Sequence, residues 1–222
     1  MEIKRVTLFA GHYGSGKTNI AVNWALYLRG LGHSVTIADL DIVNPYFRTK
    51  DSERELREAG IRLIASPFAN SNVDIPALPG ELYAVVDDRT AHAVLDVGGD
   101  DRGALALGRY SPALLEENDY AMLAVLNCHR PLTATPADAV TVLREVEAAG
   151  SLPFTGLVNN SNIGAATTPD TVRASMAYAE EVSRLTGLPL VMTTAEESVA
   201  AALRGEIPDL FPLHLQESTN WK

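Results

Sequence analysis

With 222 residues, 46% of them hydrophobic, the chain is long and apolar enough to bury a full core in one sizeable domain. Its 18 basic residues against 28 acidic ones leave a formal charge of −10, which argues against a general nucleic-acid-binding or anionic-membrane surface. The single cysteine, Cys128, excludes an intrachain disulfide. No stretch approaches the ~20 apolar residues that span a bilayer, and the first apolar run is too short for a secretory signal, so a cytoplasmic protein is expected.

In chain order, the apolar, β-branched run RVTLFA predicts a first strand, and the glycine-rich turn GHYGSGKT separates it from helical spacing over Lys17 to Gly30. SVTIADL predicts a second strand, FRTKDSERELREAG a helix ending at Gly60, and IRLIAS a third strand. Between Asn70 and Arg89 the pattern is broken by Pro76, Pro79 and Gly80, with helical spacing around ELYAVVDDR. HAVLDV and YAMLAVLN predict the fourth and fifth strands. PADAVTVLREVEAAG reads as a helix, FTGLVNN as a sixth strand, the segment from Pro169 to Gly187 as the last long helix, and PLVMTT as a seventh strand. Gly30, Gly60, Gly150 and Gly187 suit helix C-termini, and Pro169 with Asp170 suits a helix start. Strand and helix alternate, and the strands lack internal alternation. The expected fold is therefore α/β: a doubly wound, mostly parallel sheet of seven or eight strands with helices on both faces, forming a single domain over residues 1–222.

The turn after the first strand matches G-x-x-x-x-G-K-[ST] through Gly11, Gly16, Lys17 and Thr18, where the mechanism of that pattern needs it. Glycines let the backbone close around phosphate oxygens, and the positive end of a helix faces the same anion. The expected phosphate-binding loop comprises Gly11, His12, Tyr13, Gly14, Ser15, Gly16, Lys17 and Thr18. Lys17 would bridge β- and γ-phosphates, and Thr18 would offer its hydroxyl to Mg2+. Such a loop calls for carboxylates at the ends of neighbouring strands. ADLDIVNP supplies Asp39 and Asp41, and LDVGG supplies Asp96 in a D-x-x-G segment ending at Gly99.

GHYGSGKT, ADLDIVNP, LDVGG and GLVNNSN, in that order, resemble the MinD/ParA and nitrogenase iron protein group of P-loop ATPases, within the SIMIBI class. The resemblance spans about residues 3 to 205, although only these short segments are specific. It implies that Asp41 occupies the switch I position that orients attacking water, that Asp39 is a metal-site carboxylate, and that Asp96 is the Walker B residue, with Gly98 and Gly99 in switch II. The group's adenine-contacting asparagine corresponds to Asn160, with Asn159 as the alternative. No N-K-x-D tetrapeptide occurs, which favours ATP over GTP. The resemblance also implies a nucleotide-dependent homodimer.

Two departures qualify it. His12 stands where many members carry a second lysine, so the usual dimer-coupled hydrolysis is in question. His12 either makes a polar contact with phosphate or a partner, or is simply exposed on the loop. With one cysteine, a two-cysteine cluster site per subunit is excluded. The C-terminal LFPLHLQESTNWK is no basic amphipathic helix, so membrane binding is not expected. In NCHRP, Arg130 is a candidate for a phosphate or partner contact, whereas Cys128 and His129 lack partners at metal-ligand spacing.

The leading expectation is a Mg2+-dependent ATPase that switches an unidentified partner between ATP and ADP states, with Lys17, Asp41 and Asp39 as catalytic residues and Thr18, Asp39 and Asp96 at the metal. One alternative is phosphoryl transfer to a small molecule, as in dethiobiotin synthetase-like relatives, in a pocket lined by Asn44, Tyr46, Arg48 and the irregular segment from Asn70 to Arg89. Another is a nucleotide-binding module with negligible turnover.

Overall fold

The computed structural model describes residues 1–40, 52–65, 85, 88–98, 104 and 107–215. Eight strands form one sheet: β1 (Val6–Ala10), β2 (Val35–Asp39), β3 (Arg62–Ala65), β4 (His92–Asp96), β5 (Tyr120–Leu126), β6 (Gly156–Asn159), β7 (Leu190–Glu196) and β8 (Leu210–Leu213). Their order is β3-β2-β4-β1-β5-β6-β7-β8, and every ladder is parallel. Between them run α1 (Lys17–Gly30), α2 (Glu53–Glu58), α3 (Ser111–Glu117), α4 (Pro136–Gly150), α5 (Pro169–Thr186) and α6 (Glu197–Ala202).

Burial on both faces explains why the strands read as unbroken apolar runs. Val6, Leu8 and Ala10 of β1 and Met122, Ala124 and Leu126 of β5 join a cluster with Leu143 and Val146 of α4 and Val182 of α5. The intervening Phe9, Leu123 and Val125 pack on the other face against Ile20, Trp24 and Leu28 of α1 and Leu56 of α2. Thr7, a polar residue within β1, accepts a hydrogen bond from Trp24 Nε1 at 3.2 Å. β1 lies where the strand order turns: β2 to β4 extend to one side and β5 to β8 to the other. In such sheets a crevice opens beyond the carboxyl ends of the strands at that point.

The expected doubly wound parallel sheet is the observed one, with eight strands. The eighth escaped the sequence reading because β8 is four residues long and contains Pro212. Thr193 N–H donates to the Asp209 carbonyl at 3.1 Å, and the parallel repeat then makes residues 211 and 213 the donors toward β7. Pro212 falls on the outer edge, where its missing N–H costs no ladder bond.

The short helices α3 and α6 were also missed. Of the four expected glycine stops, Gly60 and Gly187 take left-handed φ values of 72°. The helices ending at Gly30 and Gly150 instead place that conformation at Gly32 and at Ser151. Gly150 has a packing reason: a Cβ there would lie 3.3 Å from Leu107 Cδ2 and 3.4 Å from the Ala104 carbonyl. Most of the expected helix around ELYAVVDDR, and the first part of the one predicted before Gly60, lie outside the described residues.

An ion pair staples the opposite end of the sheet. Arg5, just before β1, bonds both carboxylate oxygens of Glu117 at the end of α3 and donates to the Asp88 carbonyl at 3.0 Å. The hydrogen bond from Arg5 holds the Glu117 carboxyl below its ordinary value of 4.5. A depressed folded-state value means that the stabilisation is fully present above 4.5 and is lost as pH falls through the lower folded-state value. Urea unfolding of the wild type should show this acid loss. Glu117→Gln should remove that part of the pH dependence and cost about 3 kcal/mol at neutral pH, because the buried Arg5 loses its carboxylate counter-charge.

Candidate functional site

The loop from Gly11 to Thr18 leaves β1 at the carboxyl edge of the sheet and enters α1. Its glycines are required by their surroundings. A Cβ on Gly11 would stand 2.6 Å from the Val125 carbonyl oxygen, and one on Gly16 would stand 2.2 Å from Asn160 Nδ2. Gly14 and Gly16 take φ values of 75° and 90°, which side-chain-bearing residues rarely adopt. The Ser15 N–H donates to the His12 carbonyl at 3.1 Å, closing a turn over residues 12–15.

α1 begins at Lys17 with no side-chain cap and no acidic residue in its first turn. The bond from Ile20 N–H to the Gly16 carbonyl opens its ladder, so the N–H groups of Lys17, Thr18 and Asn19 precede the helical bonds. The Ser15 hydroxyl is buried within this turn and finds no hydrogen-bond partner among the described residues. Uncapped N–H groups at the positive end of a helix, an orphaned hydroxyl and a glycine cradle fit a bound phosphate. Lys17, 5% exposed, rests its Nζ 3.3 Å from the His12 carbonyl.

Thr18 Oγ1 donates to Asp96 Oδ2 at 2.7 Å. Asp96, at the end of β4, stands in register with Asp39 at the end of β2, and both carboxylates are buried. Partners in register share one face of a sheet with strands about 4.8 Å apart. One hydroxyl and two carboxylates form the hard oxygen donor set that suits Mg2+. Asp41 and Gly99 lie outside the described residues, as do Asn44, Tyr46 and Arg48.

The two candidate asparagines part company. Asn160 Nδ2 donates to the Ser15 carbonyl at 2.6 Å, and its Oδ1 accepts from Thr194 Oγ1 at 2.7 Å. Asn160 is thus a strut between the phosphate loop and β7. Asn159, one residue earlier, is turned toward α5, where Nδ2 donates to Ser175 Oγ at 2.9 Å. The structure brings Asn160 to the loop and does not bring Asn159 there, since successive residues of an extended chain face opposite ways. Both amides are engaged by the protein itself.

Tyr13 is 52% exposed, and His12 turns its Nδ1 to the Tyr13 carbonyl at 3.0 Å. Sequence reasoning missed Thr194 and Asn127. The latter is fully buried and ties the chain after β5 to the chain after β6 through the Asn162 carbonyl, at 3.2 Å. The available signal was a polar residue ending an otherwise apolar strand.

These features give the chain the fold of the P-loop NTPases, with the loop of residues 11–18 at the turning point of a parallel sheet. Among solved structures, the cell division protein FtsY of Thermotoga maritima is similar over 88% of this chain and 63% of its own, with a TM-score of 0.60 and 16% identity. FtsY of Mycoplasma mycoides is similar over 87% and 61%, with a TM-score of 0.55 and 15% identity. The 54 kDa signal recognition particle protein of Aeropyrum pernix, solved in complex with GDP, is similar over 85% and 40%, with a TM-score of 0.52 and 16% identity. The chain thus spans less than two thirds of the length of each. No protein-family model matches the chain, and no curated protein matches it. Among the described residues no helix is long and apolar enough to cross a membrane.

Proposed function

We propose that the chain is a Mg2+-dependent nucleoside triphosphatase of the MinD/ParA kind, working as a nucleotide-driven switch with ATP as its nucleotide. The observation that carries the reading is the bond from Thr18 to Asp96 at the uncapped start of α1, which joins a phosphate cradle to a carboxylate pair. GDP in the fold's signal recognition particle neighbour supports a nucleotide in this crevice. ATP is preferred because VNNSN, residues 158–162, offers no carboxylate of the N-K-x-D kind.

In this reading the loop N–H groups and Lys17 hold the phosphates, and Asp41 positions the attacking water. Thr18, Asp39 and Asp96 would hold Mg2+, whose charge offsets that of the transferred phosphoryl group. Catalysis is mainly electrostatic: fixed donors meet charge as it develops. In this reading the loops after Asp41 and Asp96 respond to the terminal phosphate, and a partner would read the difference.

Phosphate release from ATP and from GTP, measured with Mg2+ while mass in solution is followed, tests this. ATP turnover is expected, falling by roughly a hundredfold or more in Lys17→Ala and in Asp41→Ala. Equal turnover by Lys17→Ala, or no binding of either nucleotide by the wild type, would overturn the reading. A preference for GTP would overturn the nucleotide assignment alone.

A further inference from the structure

A cation reaches the phosphate loop from a different strand. Arg130, in the segment after β5, donates from Nε to the Gly14 carbonyl at 2.8 Å. A Cβ on Gly14 would lie 3.3 Å from Arg130 Nε and 3.5 Å from Cζ, so the guanidinium rests against the Gly14 α-carbon. The segment that carries it is firmly built. Arg130 N–H donates to the Asn127 carbonyl at 3.2 Å, Thr133 Oγ1 donates to the same carbonyl at 2.8 Å, and Cys128 N–H donates to Ser161 Oγ at 3.1 Å.

Only Nε of the guanidinium is engaged by a described residue, and no described carboxylate pairs with it. By contrast Arg57, Arg144, Arg173 and Arg184 each pair with an acid. Lys17 and Arg130 are anchored on carbonyl oxygens of one turn, those of His12 and Gly14. The same turn carries His12, whose Nδ1 lies 3.0 Å from the Tyr13 carbonyl.

We propose that Arg130 supplies, from within the same chain, the second cation of the phosphate site, contacting the terminal phosphates of a bound nucleoside triphosphate beside Lys17. This rests on the nucleotide-site reading above. Nε is spent on positioning, and Nη1 and Nη2 present further donors in the planar fork that suits phosphate oxygens. A second copy of the chain is then not needed to complete the charge on the loop.

The test is titration calorimetry with Mg2+ and either ADP or a non-hydrolysable ATP analogue, on the wild type, Lys17→Ala, Arg130→Gln and Arg130→Lys. Arg130→Gln keeps a donor for the Gly14 carbonyl and removes the charge. Its affinity for the triphosphate should fall about tenfold to a hundredfold, the range for one charge-assisted hydrogen bond, and its affinity for ADP by much less. Arg130→Lys should recover part of the loss. Equal losses for both nucleotides, or none, would overturn the proposal and leave Arg130 as a brace of the loop. If Arg130→Gln does not fold, Arg130→Lys decides by the same comparison. A wild type that binds neither nucleotide overturns the nucleotide reading and this proposal together. Binding that is lost in Lys17→Ala but retained in Arg130→Gln overturns only the role of Arg130.

Discussion

Gly16→Ala is expected to abolish nucleotide binding and to lower stability by about 2–4 kcal/mol. Two separate costs combine. The left-handed φ of 90° disfavours any side chain, and the new methyl would stand 2.2 Å from Asn160 Nδ2. Asn160 is a short, buried side chain held at both ends, by Ser15 and by Thr194, so it cannot swing aside cheaply. The double variant with Asn160→Ala separates the two costs. Removing the amide relieves the overlap, and only the backbone penalty of about 1–2 kcal/mol remains, together with the loss of the strut itself. Urea unfolding of both variants, with nucleotide binding measured in parallel, checks this. A stable Gly16→Ala protein that binds nucleotide like the wild type would show that the loop geometry is not what positions phosphate.

Asp96→Asn is expected to separate stability from activity. The substitution preserves shape and leaves an acceptor for the Thr18 hydroxyl. It also removes one of two like charges at facing register positions, so thermal stability without divalent ions should be unchanged or slightly higher. Mg2+-dependent phosphate release should nevertheless fall by about a hundredfold or more, with the half-saturating Mg2+ concentration raised. Thermal melts with and without Mg2+, beside turnover assays, test both halves. A lower melting point without Mg2+ and unimpaired turnover would mean that Asp96 serves the fold and not a metal.

How much of this was legible in the sequence depends on how far apart the interacting groups are along the chain. The glycine loop is eight consecutive residues from Gly11 to Thr18, and its place between a strand and a helix could be read directly. Asp39 and Asp96 were each expected at a strand end, but the pairing of β2 with β4 that sets them in register joins distant segments, which no local pattern could show. The bond from Asn160 to Ser15 spans 145 residues, and no local pattern announces it. The resemblance pointed to an asparagine in that region for the base, whereas the structure ties the Asn160 amide to the loop. The tie of Arg130 to Gly14 is equally remote, at 116 residues, although Arg130 itself stood out as a candidate. The helices end at Gly30 and Gly150 as expected, but the left-handed turn after them is taken by Gly32 and Ser151. There the glycine that ends the helix is not the residue that turns the chain.

β8 closes one side of the sheet, and its proline lies outward. An incoming strand docks by reading alternate N–H and C=O groups along an open edge, and here the N–H at position 212 is absent. The outer edge of β8 offers Leu210 as its backbone donor within the strand, too little to template another strand. Sheet extension by another copy across β8 is therefore disfavoured, because the edge lacks the alternating donors a docking strand needs.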